Sequence, residues 1–290
     1  PTGPGAPSTA PVGAQPAVPG PYADAKALLV ALEKADEGLD RLKALVRYDV
    51  TEEELGDRSV REGELFFDRV KGEKPGARPV RRFAVRFDKL RVGTTTRPDE
   101  RVHVFDGRWY AEKSPKEKKL NRKEVVPPGE SFDPLKIGEG PLPIPIGQKH
   151  EDILGRYDAE LRPVEDGLDP AETALRSFVE GCVQVRLVPR AEFKERDRFT
   201  EIRLWYRGKP PEEMTPGSKA SERLLPRLAR TVGHNGNITL VQLANVQVNE
   251  DAKFDAAMME TTAPPVPTSV PGVTVGPLVG APLPPSVPTC

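Results

Sequence analysis

The stretch Val80-Arg81-Arg82-Phe83-Ala84-Val85-Arg86-Phe87-Asp88-Lys89-Leu90-Arg91-Val92 decides how this chain is read. Phe83, Val85 and Phe87 alternate with Arg82, Ala84, Arg86 and Asp88. A period of two sends alternate side chains to opposite faces of a strand, one apolar and one mostly charged. That is the pattern of a half-buried antiparallel strand. The same period extends outward on both sides. In 63–70, Leu65 and Phe67 oppose Glu64 and Asp68. In 101–105, Val102 and Val104 alternate with Arg101 and His103. Asp106-Gly107 is a tight-turn pair, so 101–105 and 108–113 form a hairpin.

Later in the chain the alternation returns. Val183, Val185 and Leu187 define one strand face. Thr200, Ile202, Leu204 and Tyr206 define another, with Phe199 and Trp205 opposite. Segments 224–232 and 237–249 flank Gly233-His234-Asn235-Gly236, whose Asn-Gly pair signals a hairpin. About nine to eleven strands result, most adjacent in sequence, which favours a meandering antiparallel sheet.

Helical periodicity is clearest in 24–47, where Ala25, Leu28, Leu29, Leu32, Ala35, Leu39, Leu42 and Val46 form one stripe. Gly38 weakens its middle. Ile153, Leu154, Tyr157 and Leu161 predict a short helix over 148–161. Asp169, Pro170 and Glu172 predict a capped helix over 170–180. Between these lies 127–147, where prolines interrupt Leu135, Ile137, Leu142, Ile144 and Ile146. So many Leu and Ile in a loop imply that it packs over something.

Composition sets the limits. Residues 1–22 and 263–290 are rich in proline and small residues, which predicts disordered tails around a single domain over 23–262. With 43 Lys+Arg against 44 Asp+Glu the net charge is −1, and no basic excess points to nucleic acid. Lys116, Lys118, Lys119, Arg122 and Lys123 are interrupted by Glu117 and read as a solvated strand or loop. No run of about 18 apolar residues exists to span a membrane. The chain starts in a Pro/Gly/Ala stretch without Met, compatible with an exported protein after removal of a signal peptide. Cys182 and Cys290 are expected to be free thiols.

Chemistry-bearing motifs are scarce. His103, His150 and His234 lie far apart, and no closely spaced Cys/His set suggests a metal site. There is no nucleophile elbow and no phosphate loop; 72–76, Gly-Glu-Lys-Pro-Gly, reads as a hairpin loop. Neither a cofactor nor a catalytic residue is expected. The alternating apolar residues are left as the main signal. They are core beneath the N-terminal helix, or they line a ligand cavity, and periodicity alone favours core.

The order of segments adds a resemblance. A long amphipathic helix precedes Gly63-Glu64-Leu65-Phe66-Phe67-Asp68-Arg69, then Arg82-Phe83-Ala84-Val85-Arg86-Phe87. Val104-Phe105-Asp106-Gly107-Arg108-Trp109-Tyr110 follows, and late in the chain stands 235–246, Asn-Gly-Asn-Ile-Thr-Leu-Val-Gln-Leu-Ala-Asn-Val. Over about 24–260 this resembles the periplasmic outer-membrane lipoprotein carrier (LolA/LolB-like) superfamily. The resemblance implies a mainly β fold: an unclosed barrel of about eleven antiparallel strands whose apolar concave face is covered by helices and loop as a lid. It implies ligand-lining roles for Leu65, Phe67, Phe83, Val85, Phe87, Val102, Val104 and Trp109. It also implies a lid-latching role for Arg69, which is followed here by Val70 where the family has proline. The implied function is non-enzymatic binding of a lipid, acyl chain or lipoprotein in the periplasm or cell envelope, with an envelope protein as a further partner. The alternative is a structural or protein-interaction module of the same fold without a ligand cavity.

Overall fold

The computed structural model describes residues 20–71, 79–126, 137, 146, 148–215 and 222–262. The two terminal tails and most of loop 127–147 lie outside these residues, as does the hairpin loop 72–76. Eleven strands form one antiparallel sheet. They are β1 (Arg41–Glu52), β2 (Asp57–Val70), β3 (Val80–Val92), β4 (Thr95–Phe105), β5 (Trp109–Ser114) and β6 (Lys119–Glu124), then β7 (Tyr157–Arg162), β8 (Val183–Pro189), β9 (Phe199–Arg207), β10 (Leu225–Gly233) and β11 (Ile238–Val248). In space the order is β6-β5-β4-β3-β2-β1-β11-β10-β9-β8-β7. Two meanders therefore meet where β1 pairs with β11, and the sheet does not close. Among the described residues its free edges are β6 and β7. All six β6 residues are exposed and mostly charged, a composition that discourages edge-to-edge pairing.

Among the described residues three α-helices accompany the sheet: α1 (Ala25–Asp36), α2 (His150–Arg156) and α3 (Thr173–Phe178). Asp24 caps α1 by accepting from the Ala27 amide at 2.8 Å. Leu28, Leu29, Ala31 and Ala35 of α1 bury against the sheet in one large cluster with Leu42, Leu65, Phe67, Phe83, Val85, Leu204 and Val241. That side is the concave interior. Each fully buried Leu or Phe there contributes about 1.5–3 kcal/mol.

The convex side is covered as well. Leu175 and Val179, in and just after α3, pack on Trp205, Leu228 and Leu240. At the other end Phe254, Met258 and Met259 pack on Phe66, Ala84, Val102 and Val104. Charged neighbours fill the gaps between these caps. Arg82 pairs with Asp68, and Arg86 with Glu64 at 2.5 Å.

Three helix expectations need correction. The stripe over 24–47 is helical only to Asp36. Gly38 takes φ +72°, a left-handed conformation that glycine adopts without strain, and β1 begins at Arg41. Leu42, Ala44 and Val46 are buried at a period of two; Leu39, Leu42 and Val46 also satisfy helical spacing, so the two periods overlap there. Over 148–161 the helix stops at Arg156, and Tyr157 and Leu161 belong to β7. Over 170–180 the helix starts at Thr173. Asp169 accepts from the Ala171 amide in the preceding turn, and Glu172 pairs with Arg58. Ile137 and Ile146, the described residues of loop 127–147, are both buried in the main core.

Gly63 marks an irregularity in the long strands. Opposite it the β2/β3 register shifts at a bulge. A Cβ at position 63 would stand 1.8 Å from the carbonyl oxygen of Arg86. Only glycine admits this approach.

Candidate ligand-binding interior

Register defines which residues share the concave face. One rung runs Leu42, Phe67, Phe83, Phe105, Tyr110 across β1 to β5. The next runs Ala44, Leu65, Val85, His103, Glu112. Directly opposite residues in an antiparallel pair lie on the same face. Of the residues picked from sequence, Leu65, Phe67, Phe83, Val85 and Phe87 therefore stand together on one face, in the same buried cluster as the α1 side chains.

Val102, Val104 and Trp109 do not join them. Val104 lies on the rung Phe66, Ala84, Val104, Ala111, Arg122, on the convex side. Val102 packs beside it, near Phe254 and Met258. Trp109 shares that parity, and the Arg122 guanidinium sits 4.0 Å over its ring. Alternation misled here because both faces of the sheet are covered. The valine face is apolar for the convex cap, and the face carrying Arg101, His103 and Phe105 is the interior one. The Asp106-Gly107 hairpin held the missed signal: it pairs Phe105 with Tyr110, which fixes both on one face.

Between these rungs and the tips of β1 and β2 lies a cavity of about 220 Å³, lined by Tyr48, Arg61, Phe83, Val85, Phe87, Arg101, His103 and Tyr110. Its walls are largely aromatic. Tyr48 and Phe87 have ring centroids 6.0 Å apart, and the His103 ring meets Phe87 edge-on at 5.9 Å. The polar groups are internally matched. Arg61 and Arg101 both face Asp99, at 3.5 and 3.4 Å, and Arg101 also approaches Glu112 at 3.6 Å. His103 Nδ1 and the Tyr110 hydroxyl are 2.8 Å apart. Burial, with Arg61 and Arg101 nearby, holds the His103 imidazole below its ordinary pKa despite Glu112. Burial pushes the Tyr110 phenol up to about 12. A second cavity, about 530 Å³, lies at the other end beside Pro21, Tyr22, Leu161, Val183 and Tyr206.

The helix over this interior is tied at identifiable points. Arg69 Nη2 donates to the Asp36 carbonyl oxygen at 3.2 Å, and the Arg69 amide donates to Asp40 O at 2.7 Å. Asn249 Nδ2 donates to Gly38 O at 2.8 Å. On the other flank Glu33 bonds His150 Nδ1 at 2.7 Å, and this bond draws the Glu33 carboxyl below its usual pKa. His234 Nε2 bonds Asp197 O, so the three histidines serve three separate places. Among the described residues no three His, Cys, Asp or Glu side chains gather as metal ligands. Cys182 is a half-buried free thiol pushed up to about 11 by burial, and Cys290 lies outside the described residues. Among the described residues no helix is long and apolar enough to cross a membrane.

Fold and site together define an open antiparallel half-barrel with a helix-covered apolar interior. No family model matches the chain, and no curated protein matches it. Similar solved structures include a DUF1329 family protein from Desulfovibrio piger, 14% identical, covering 81% of this chain and 95% of its own, with a TM-score of 0.37. A putative outer membrane lipoprotein-sorting protein domain from Vibrio parahaemolyticus is 11% identical over 77% of this chain and 92% of its own, with a TM-score of 0.32. A LolA superfamily protein from Nitrosomonas europaea is 12% identical over 76% and 93%, with a TM-score of 0.29. At TM-scores below 0.5 these neighbours add nothing to the geometry of the interior.

Proposed function

We propose that this chain is a non-enzymatic carrier or sensor of an apolar ligand, a lipid, acyl chain or lipoprotein, working in the cell envelope. One observation carries the reading: a cavity of about 220 Å³ walled by Phe83, Val85 and Phe87, together with Tyr48, His103 and Tyr110 and two arginines, on the sheet face whose buried side chains cluster with those of α1. An apolar cavity of about 150 Å³ already holds benzene, so this one takes a short stretch of chain. A longer chain takes the place of the α1 leucines once the helix lifts. Each methylene that leaves water contributes about 0.8 kcal/mol, so recognition needs apolar area and no catalytic group. Leu65 and Phe67 extend the lining, and Arg69 serves as the latch that α1 must release. An envelope setting is that of the carriers which the sequence motifs resemble, and an envelope protein that delivers or receives the ligand is part of the reading.

Titration with a fluorescent long-chain fatty acid tests it. Saturable binding at micromolar or lower Kd is expected. Leu65→Asp and Phe87→Asp should weaken it by placing an unpaired charge on the lining, with melting followed in parallel. Absence of saturable binding to the folded wild type contradicts the carrier and favours the interaction module.

A further inference from the structure

Among the described residues, two neighbouring arginines of the convex side bond to no acceptor. Arg207 ends β9, on the face opposite Tyr206. Its Nη2 would lie 3.8 Å from a Cβ at Gly181. Arg227 stands at the β9/β10 register shift, between the pairs Pro226–Tyr206 and Leu228–Trp205. Its Nε is buried without a hydrogen bond. Its guanidinium carbon is 5.4 Å from the ring centroid of Phe178, the last residue of α3. Cys182 lies beside both guanidiniums; burial raises the pKa of its thiol and the two positive charges work against that rise.

The other arginines on this side of β7 to β10 are matched. Arg162 and Arg203 face Asp166, Arg186 faces Glu160 and Glu201, and Arg230 faces Glu201. Arg207 and Arg227 have no such carboxylate. Glu180, in the turn beside Gly181, forms no ion pair with either. The groups that act on the charge of Arg227 are the Cys182 thiol and Arg207 itself, and burial opposes that charge further. Two like charges are thus held together in a half-buried place, where each disfavours the other.

An anion relieves this repulsion, and the donors define its shape. Each guanidinium presents five N–H groups in a planar fork. A carboxylate occupies one fork. A phosphate group brings three terminal oxygens and a charge of about −1.5 to −2, which answers two forks at once.

We propose that Arg207 and Arg227 form a binding site for a terminal phosphate group on the convex side, beside Phe178 and Cys182. The site is separate from the concave interior and stands or falls independently of the carrier reading. No bond is made or broken.

Calorimetric titration of the full chain with inorganic phosphate, in chloride buffer, tests it. Saturable one-to-one binding with a Kd below about 1 mM is expected. Arg207→Gln and Arg227→Gln should each weaken it about tenfold or more, with melting followed in parallel. Arg97→Gln, which removes an arginine of β4 in the other meander, should leave it unchanged. Vesicles then name the source of the phosphate. Cosedimentation with phosphatidic acid in phosphatidylcholine, lost in both Gln variants of the site, assigns a lipid headgroup. Phosphate binding without that cosedimentation assigns a free phosphate or a small phosphate ester. No saturable phosphate binding by the wild type, or an equal loss in Arg97→Gln, overturns the inference. Should a site variant not fold, the wild type decides: phosphate should slow alkylation of Cys182 by iodoacetamide, with the midpoint of the titration. An alkylation rate indifferent to phosphate overturns the inference.

Discussion

Arg69, near the end of β2, donates from Nη2 to the carbonyl oxygen of Asp36, the last residue of α1, across 3.2 Å. A guanidinium at this position adds a second donor to a helix carbonyl that also accepts the Leu39 amide at 3.2 Å, and it complements the negative end of the helix dipole. Burial and the neighbouring Arg81 work against the charge of Arg69, so the contact is made at some cost. This contact from strand to helix end lies next to the Gly38 turn, whose carbonyl is held by Asn249.

Arg69→Ala should loosen the lid before it loosens the sheet. The lost charged hydrogen bond is expected to cost about 2 kcal/mol. Amides of 28–36 should exchange faster, while those of β2 and β3 keep their protection. Hydrogen exchange followed by mass spectrometry checks this, and unchanged exchange in α1 removes the latch.

Gly63→Ala should disturb the sheet itself. The new methyl would meet the Arg86 carbonyl oxygen at 1.8 Å, so β3 must move away at the bulge. A loss of about 3 kcal/mol is expected for such overpacking. Urea denaturation measures it, and a loss below about 0.5 kcal/mol would mean that the β2/β3 approach is looser than described.

The sheet, its mainly antiparallel pairing and the N-terminal half of the helix stripe were legible in the sequence, because Phe83, Val85 and Phe87 alternate cleanly against arginines. Two things were not. Leu39, Leu42 and Val46 fit both a helix and a strand, and Gly38 was the only local sign that one ends and the other begins. The parity of β4 was hidden for another reason. Phe254, Met258 and Met259 cover Val102 and Val104 from a segment some 150 residues later, so an apolar face no longer marks the interior. His103, which alternates with Val102 and Val104, was placed on the opposite face from the interior for the same reason.

His103 gives the interior a pH signature. Its pKa in the folded chain lies below the ordinary 6.5. Between the folded and unfolded values the unfolded chain binds more protons, so stability rises with pH through that window. The wild type should therefore lose stability relative to His103→Gln as pH falls from 7.5 through 6.5 toward 5. Melting curves across this range check the sign, and parallel curves for the two proteins would place the imidazole in water.

The central claim is that ligand sits on the concave face beneath α1, and site mapping with a photoactivatable fatty-acyl ester tests it most directly. After irradiation, digestion and mass spectrometry, label is expected on peptides carrying Phe83 to Phe87, His103 to Tyr110, and Leu28 to Leu32 of the lid, with excess unlabelled ester suppressing it. Label confined to α3, to Trp109 and Arg122, or to Phe254 to Met259 would put the ligand on the convex side and contradict the account.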